Sequence, residues 1–245
     1  MSNETTVVKT ALRIPGNWSH PGKIIQRMPA GFRLTPEFLV LPDGAQIQFT
    51  PLPPDDQFPG IFRSMCRQPP TDDELEIVNS YTVNIGLTGP GGSMKAALTM
   101  LQAGAAIVRA GGAGVFIDNS ALVHGGQKWS EMAEDGGPDA VSFAFAGIVR
   151  GRQEVWTVGM HVMGLPEIVM KRSDADADCD TIIELIRYLC AGVKPIADGH
   201  LIASEDGLRF RAVATGTSAY KPGSPMHNPF GRLKLVSIKD ITESN

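Results

Sequence analysis

The sequence predicts an α+β protein, an α/β sandwich in which helices pack on one face of a mixed sheet. Three observations predict it. Residues 81–117 read as strand, helix, strand, with the spacing of a crossover connection. Two hairpin patterns flank that unit, one in residues 37–52 and one in residues 200–215. Apolar runs of helical and strand period alternate along the chain, with turn residues at their junctions.

Taken in order, the first seventy residues are rich in proline and loop signals. PGNWSHPG, residues 15–22, is excluded from helix because proline fixes φ and lacks an N–H donor. EFLVLPDGAQIQFTPL reads as a hairpin: apolar FLVL, the turn PDG, then Ile47 and Phe49 in alternation. PLPPDDQFPG, residues 51–60, reads as a loop. QPPTDDELEIVNSY begins a short helix, with Thr71 as N-cap and Glu74 three residues on, the spacing of a capping box. YTVNIGLTG, residues 81–89, is a strand with Val83, Ile85 and Leu87 on one face. Ser93 then caps a helix of small residues that runs to about Ala110 and stops at Gly111-Gly112. GVFID is the next strand, and the residues after it read as a loop.

Pro138 to Arg150 forms a second helix candidate. EVWTVGMHVMG, residues 154–164, reads as a strand, and LPEIVMK continues it or comes after a turn. SDADADCDTIIELIRYLCAG is an acidic cap and a helix that ends at Gly192. HLIASEDGLRFRAVAT turns at Glu205-Asp206-Gly207, and RLKLVSI is the last strand. A ferredoxin-like arrangement, repeated, is the preferred picture. Residues 1–70 are taken as a proline-rich segment with a β-hairpin packed on the main domain, and residues 71–245 as that domain.

The 245 residues are enough for a substantial core, and 42% hydrophobic with 20% charged residues is ordinary for a folded domain. A net charge of -4 with no long basic run argues against general nucleic-acid binding. No apolar run reaches the roughly 20 residues of a membrane helix, and the N-terminus lacks the pattern of a signal peptide. Cys66, Cys179 and Cys190 form no CxxC pair or zinc pattern, so they read as reduced, packed thiols in a cytoplasmic protein.

Chemistry concentrates after the GVFI strand, in Asp118, Asn119, Ser120 and His124. Ligands of α/β proteins gather off the carboxyl ends of strands, and an Asp–His pair can act as a base with its orienter or as two metal ligands. The same residues are also common turn formers through side-chain bonds to the backbone. His161, placed mid-strand, and Glu167 six residues later are the further candidates. Asp118, His124 and His161 are thus the candidate catalytic residues; Asn119, Ser120 and Glu167 are the candidate ligand-binding ones. LTGPGGSMK fails both the P-loop and the dinucleotide patterns, so Ser93 reads as a helix cap. In SDADADCD the calcium-loop pattern fails, because Cys179 replaces its glycine and Leu185 its bidentate glutamate. GxSxG is absent, which argues against a serine hydrolase. No metal site and no cofactor are named.

The helix leading into GGAGVFID, then Trp129 and the run TVGMHVMGLPEI, resemble an uncharacterised bacterial family, a domain of unknown function, over about residues 80–240. The resemblance implies a cytoplasmic α/β domain and carries no activity. The function expected is therefore a module that binds a small molecule or a protein, or regulates one. The alternative is a small-molecule enzyme using Asp118 and His124 as acid/base or metal groups. A homodimer joined edge to edge through GVFI or the hairpins is the further expectation, with no nucleic-acid or membrane partner.

Overall fold

The computed structural model describes residues 7–175, 178–192, 194–203, 209–216 and 218–238. The chain opens with β1 (Lys9–Gly16), α1 (Pro21–Arg27), β2 (Arg33–Leu34), β3 (Phe38–Val40), β4 (Gln46–Leu52) and α2 (Phe58–Met65). It continues with α3 (Asp72–Ser80), β5 (Val83–Pro90), α4 (Met94–Arg109), β6 (Gly114–Ile117), β7 (Leu122–Gly125), α5 (Gly126–Asp135) and α6 (Pro138–Phe145). The last part holds β8 (Gly147–Arg150), β9 (Glu154–Val158), a 3-10 turn (Met160–Met163), β10 (Glu167–Lys171), α7 (Asp180–Cys190), β11 (Leu201–Ala203), β12 (Arg209–Thr215) and β13 (Arg232–Ser237).

The fold is α+β. Its strands form two sheets, ordered β2-β3-β4-β5-β1-β6-β7 and β11-β12-β13-β10-β9-β8. The first is antiparallel between every pair of named strands, while the second holds one parallel pair, β10 with β13. One continuous apolar core takes residues from both sheets, such as Ile14, Leu87, Ile168 and Phe210, and from α4 to α7. Burying such side chains is worth roughly 1.5–3 kcal/mol each and dominates the stability. Among the described residues no helix is long and apolar enough to cross a membrane.

Local chemistry explains the well-formed ends. Thr71 and Glu74 make the full capping box: Thr71 Oγ1 accepts from Glu74 N–H at 3.2 Å, and Glu74 Oε2 accepts from Thr71 N–H at 2.8 Å. Ser93 caps α4 through the Ala96 N–H. Small residues let α4 press close to its neighbours. At Gly104 an added Cβ would stand 2.7 Å from Trp129 Nε1, and that indole N–H donates to Leu101 O at 3.0 Å.

Several sequence expectations need correction. Helix α1 begins at Pro21, inside the stretch excluded from helix; a first-turn proline lacks only an N–H that would have no intrahelical partner anyway. After GVFI the chain does not wander as a loop but turns tightly into β7 and then α5. The second helix candidate ends at Phe145, and Gly147–Arg150 is a strand. Strand β6 is paired on both sides, by β1 and β7, so GVFI offers no free edge for joining subunits. The first seventy residues supply β1, which lies between β5 and β6 with Thr10, Leu12 and Ile14 buried. Among those residues Leu39 pairs with Ile47 in the β3–β4 hairpin. The turn Glu205-Asp206-Gly207 and Asp176 lie outside the described residues.

Candidate functional site

The turn between β6 and β7 is closed by Ser120 N–H and Ala121 N–H, which both donate to Ile117 O. Ala121 carries the left-handed backbone this needs, at φ 53°. From the turn, Asn119 reaches sideways onto β1. Its Oδ1 accepts from Ala11 N–H at 2.9 Å, and its Nδ2 donates to Lys9 O at 3.0 Å and to Pro225 O at 3.1 Å.

Asn119 Nδ2 also lies 3.1 Å from His161 Nε2. His161 is not mid-strand. Strand β9 stops at Val158, Gly159 takes φ 90°, and Met160–Met163 form a 3-10 turn that Gly164 ends at φ 80°. Both glycines are forced by close approach as well as by φ. An added Cβ at Gly159 would stand 2.2 Å from Phe145 O, and one at Gly164 would stand 2.4 Å from Gly92 O. The turn buries His161, Met160 and Val162 together.

His161 Nε2 lies 2.9 Å from Pro225 O, and its Nδ1 faces Glu167 Oε1 at 3.6 Å. Nε2 donates to Pro225 O in one tautomer of the ring and accepts from Asn119 Nδ2 in the other. Nδ1 faces the Glu167 carboxylate and has no hydrogen-bond partner among the described residues. Glu167 is itself held. Its Oε2 accepts from Thr157 Oγ1 at 2.7 Å, and its Oε1 accepts from Asn228 Nδ2 at 2.9 Å. Thr157 Oγ1 further accepts from Ile168 N–H, and Asn228 Nδ2 donates to Leu165 O. Asn119, Thr157, His161, Glu167 and Asn228 are all buried. A cleft of about 340 Å³ lies against this cluster, walled by Lys9, Asn119, His161, Pro225 and His227 among others.

The structure thus joins three of the predicted residues, Asn119, His161 and Glu167, and separates the other three. Asp118 pairs with Arg13 across the sheet at 3.0 Å. Partial burial raises its carboxyl, and Arg13 pulls it back down by charge and hydrogen bond. Ser120 is buried beside Gly159, and its Oγ has no hydrogen-bond partner among the described residues. His124 stands opposite Val115, further down the β6–β7 ladder from the turn, so on the order of 10 Å of strand separates it from Asp118.

His124 is 1% exposed, packed against the rings of Trp129 and Phe143. Its Nε2–H donates to Ala144 O at 3.0 Å, and Nδ1 is buried without a hydrogen-bond partner among the described residues. Burial pushes it down to about 4, against the help of the Ala144 bond; the Arg67 and Lys128 charges push the same way. Arg67 holds this corner by donating to Phe143 O and Ala146 O and lying 4.1 Å over the Phe143 ring. Asp118 and His124 are therefore neither a base with its orienter nor a shared metal site. Among the described residues no group of three or more His, Cys, Asp or Glu is placed to hold a metal ion.

Sequence reasoning missed Thr157 and Asn228. Thr157 had a signal, since it sits four residues before His161 in the run TVGMHVMGLPEI. Asn228, in HNPF, had none; the loop carrying it is brought in by tertiary contacts alone. Compared with protein-family models, curated proteins and solved structures, the chain matches none.

Proposed function

We propose that the chain is a binding or regulatory module in which the buried polar cluster is a structural lock. One observation carries this reading. The cluster's hydrogen bonds go to the protein's own main chain, at Lys9, Ala11, Leu165, Ile168 and Pro225, or to one another. A catalytic base needs a nitrogen within reach of substrate, whereas His161 Nε2 is covered by Pro225 O. The lock ties three separate pieces together: the β6–β7 turn, the start of β10, and the loop of residues 218–231. Such cross-linking rigidifies a scaffold that presents other surfaces for binding.

A second reading, a small-molecule enzyme, keeps one observation in its favour. A buried carboxylate behind Nδ1 and a cleft in front of Nε2 is how an acid/base histidine is oriented. That reading needs Pro225 to leave. Modification of the native protein with diethyl pyrocarbonate, read histidine by histidine by mass spectrometry, separates the two. The lock predicts fast reaction at exposed His20 and His200 and protection of His161. Reaction at His161 as fast as at His200 would show an open ring nitrogen and favour the enzyme.

A further inference from the structure

We infer that the free edge of β11 is a docking site for an extended peptide of alternating apolar and acidic residues, taken up as an added strand. This rests on the binding-module reading and names the partner.

Strand β11 ends the second sheet, and among the described residues only β12 pairs with it. Its register with β12 is Leu201–Arg211, Ile202–Phe210 and Ala203–Arg209. The bond from Ala212 N–H to His200 O fixes which pairs exchange hydrogen bonds. In an antiparallel ladder these alternate, so His200 and Ile202 face β12, and Leu201 and Ala203 turn their N–H and C=O groups outward. Leu201 is 71% exposed, the highest of any large apolar residue described past Val7. An uncovered edge with an apolar side chain is a template for a further strand.

The two faces of that edge differ. On the face of Ile202 and Phe210 lies a groove of about 600 Å³ between α7 and β11, walled by Leu185, Tyr188, Ile196 and Ile202, with Leu201 and Ala203 along its outer rim. Thr181, Glu184, Lys194 and His200 also line it, so an apolar wall is bordered by polar groups and one charge of each sign. On the opposite face, beside Leu201 and Ala203, stand Arg209 and Arg211, both exposed and without an ion-pair partner among the described residues. Ala203 is small enough for Arg209 to reach over it toward an added strand. Side chains of a strand alternate between faces. A peptide added to β11 therefore puts every second residue on the groove side and the others beside Leu201 and Ala203, one strand away from Arg209 and Arg211. Apolar residues suit the first set and acidic residues the second. Charge alone does not define the site, because the protein as a whole is acidic.

The test is fluorescence anisotropy of the full chain with a labelled heptapeptide, Glu-Val-Glu-Ile-Glu-Val-Glu. Two controls accompany it: the same residues in the order Glu-Glu-Val-Ile-Val-Glu-Glu, and the alternating peptide with lysine in place of glutamate. The expected result is saturable binding of the alternating acidic peptide, roughly tenfold or more tighter than either control. Arg209→Glu with Arg211→Glu, both on the surface, should weaken it by roughly tenfold. Leu201→Pro removes an outward donor that the β11–β12 ladder does not use, and should weaken it similarly. Equal binding of both acidic orders would reveal a mere anion patch and overturn the proposal, as would unaltered binding by Leu201→Pro or absence of binding. Protection of His161 is read separately, so loss of peptide binding leaves the lock standing, and an open His161 leaves the docking edge to be judged by the peptide.

Discussion

Two histidines are buried almost equally, His124 at 1% and His161 at 2% exposure, and they have opposite surroundings. His124 sits among aromatic rings with one backbone carbonyl as its only hydrogen-bond partner among the described residues, and two cations nearby disfavour its charge. His161 sits between a carbonyl and a carboxylate that is itself held by two side chains. Burial alone therefore says nothing about a histidine's role. What faces its second nitrogen decides whether the ring is an apolar core residue or a member of a polar cluster.

The sharpest way to break this contrast is Glu167→Ala. It strips the partner from Nδ1 and leaves Thr157 and Asn228 with lost acceptors. Leaving the buried Thr157 and Asn228 donors without this acceptor costs about 1–3 kcal/mol each, to be read from urea unfolding. No comparable loss is expected for removing a charge near His124, such as Lys128→Gln.

The next effect is the pH dependence that His124 imposes. Its folded value of about 4 lies below the usual value of 6.5, so only the unfolded chain takes up the proton between them. Stability is unaffected by this group above pH 6.5 and falls as pH drops from there to about 4, by about 3 kcal/mol in all. His124→Phe should remove that part of the acid sensitivity, which unfolding curves at a series of pH values would measure. A slope unchanged by the substitution would contradict this role for His124.

Gly104→Ala probes the same corner through Trp129, which packs on His124. The new methyl would stand 2.7 Å from the indole nitrogen, and overpacking of this kind costs about 1–3 kcal/mol of thermal or urea stability. The smallest effect belongs to Asp118→Asn. It removes a half-exposed pair with Arg13, so a loss within about 1 kcal/mol is expected.

The features legible in the sequence were local or periodic. The capping box at Thr71 and Glu74, the Ser93 cap and the β3–β4 hairpin each depend on residues within a few positions of one another. The crossover from β5 through α4 to β6 was legible from period and length, although β1 lies between its two strands. The alternation of Thr10, Leu12 and Ile14 in β1 was a signal left unused beneath the prolines around it. The 3-10 turn at His161 was not legible as such. Its glycines could have marked a bend, but Phe145 O and Gly92 O, distant in sequence, fix why they must be glycines. Likewise the reading of Asp118 with His124 relied on closeness along the chain, and the intervening tight turn and β7 carried them apart. His161 and Glu167 were named as candidates, while the residues that hold Glu167 come from β9 and from a loop some sixty residues on.

The central claim is that the His161 cluster holds the fold together and is not poised for chemistry. The most direct measurement is the urea-unfolding stability of His161→Phe, which keeps the ring's bulk and removes both nitrogens. A lock predicts a loss of about 3 kcal/mol, because Glu167 is left buried and Pro225 O loses a donor. Stability unchanged or raised would contradict the claim, since groups held for catalysis are often replaced with a gain in stability.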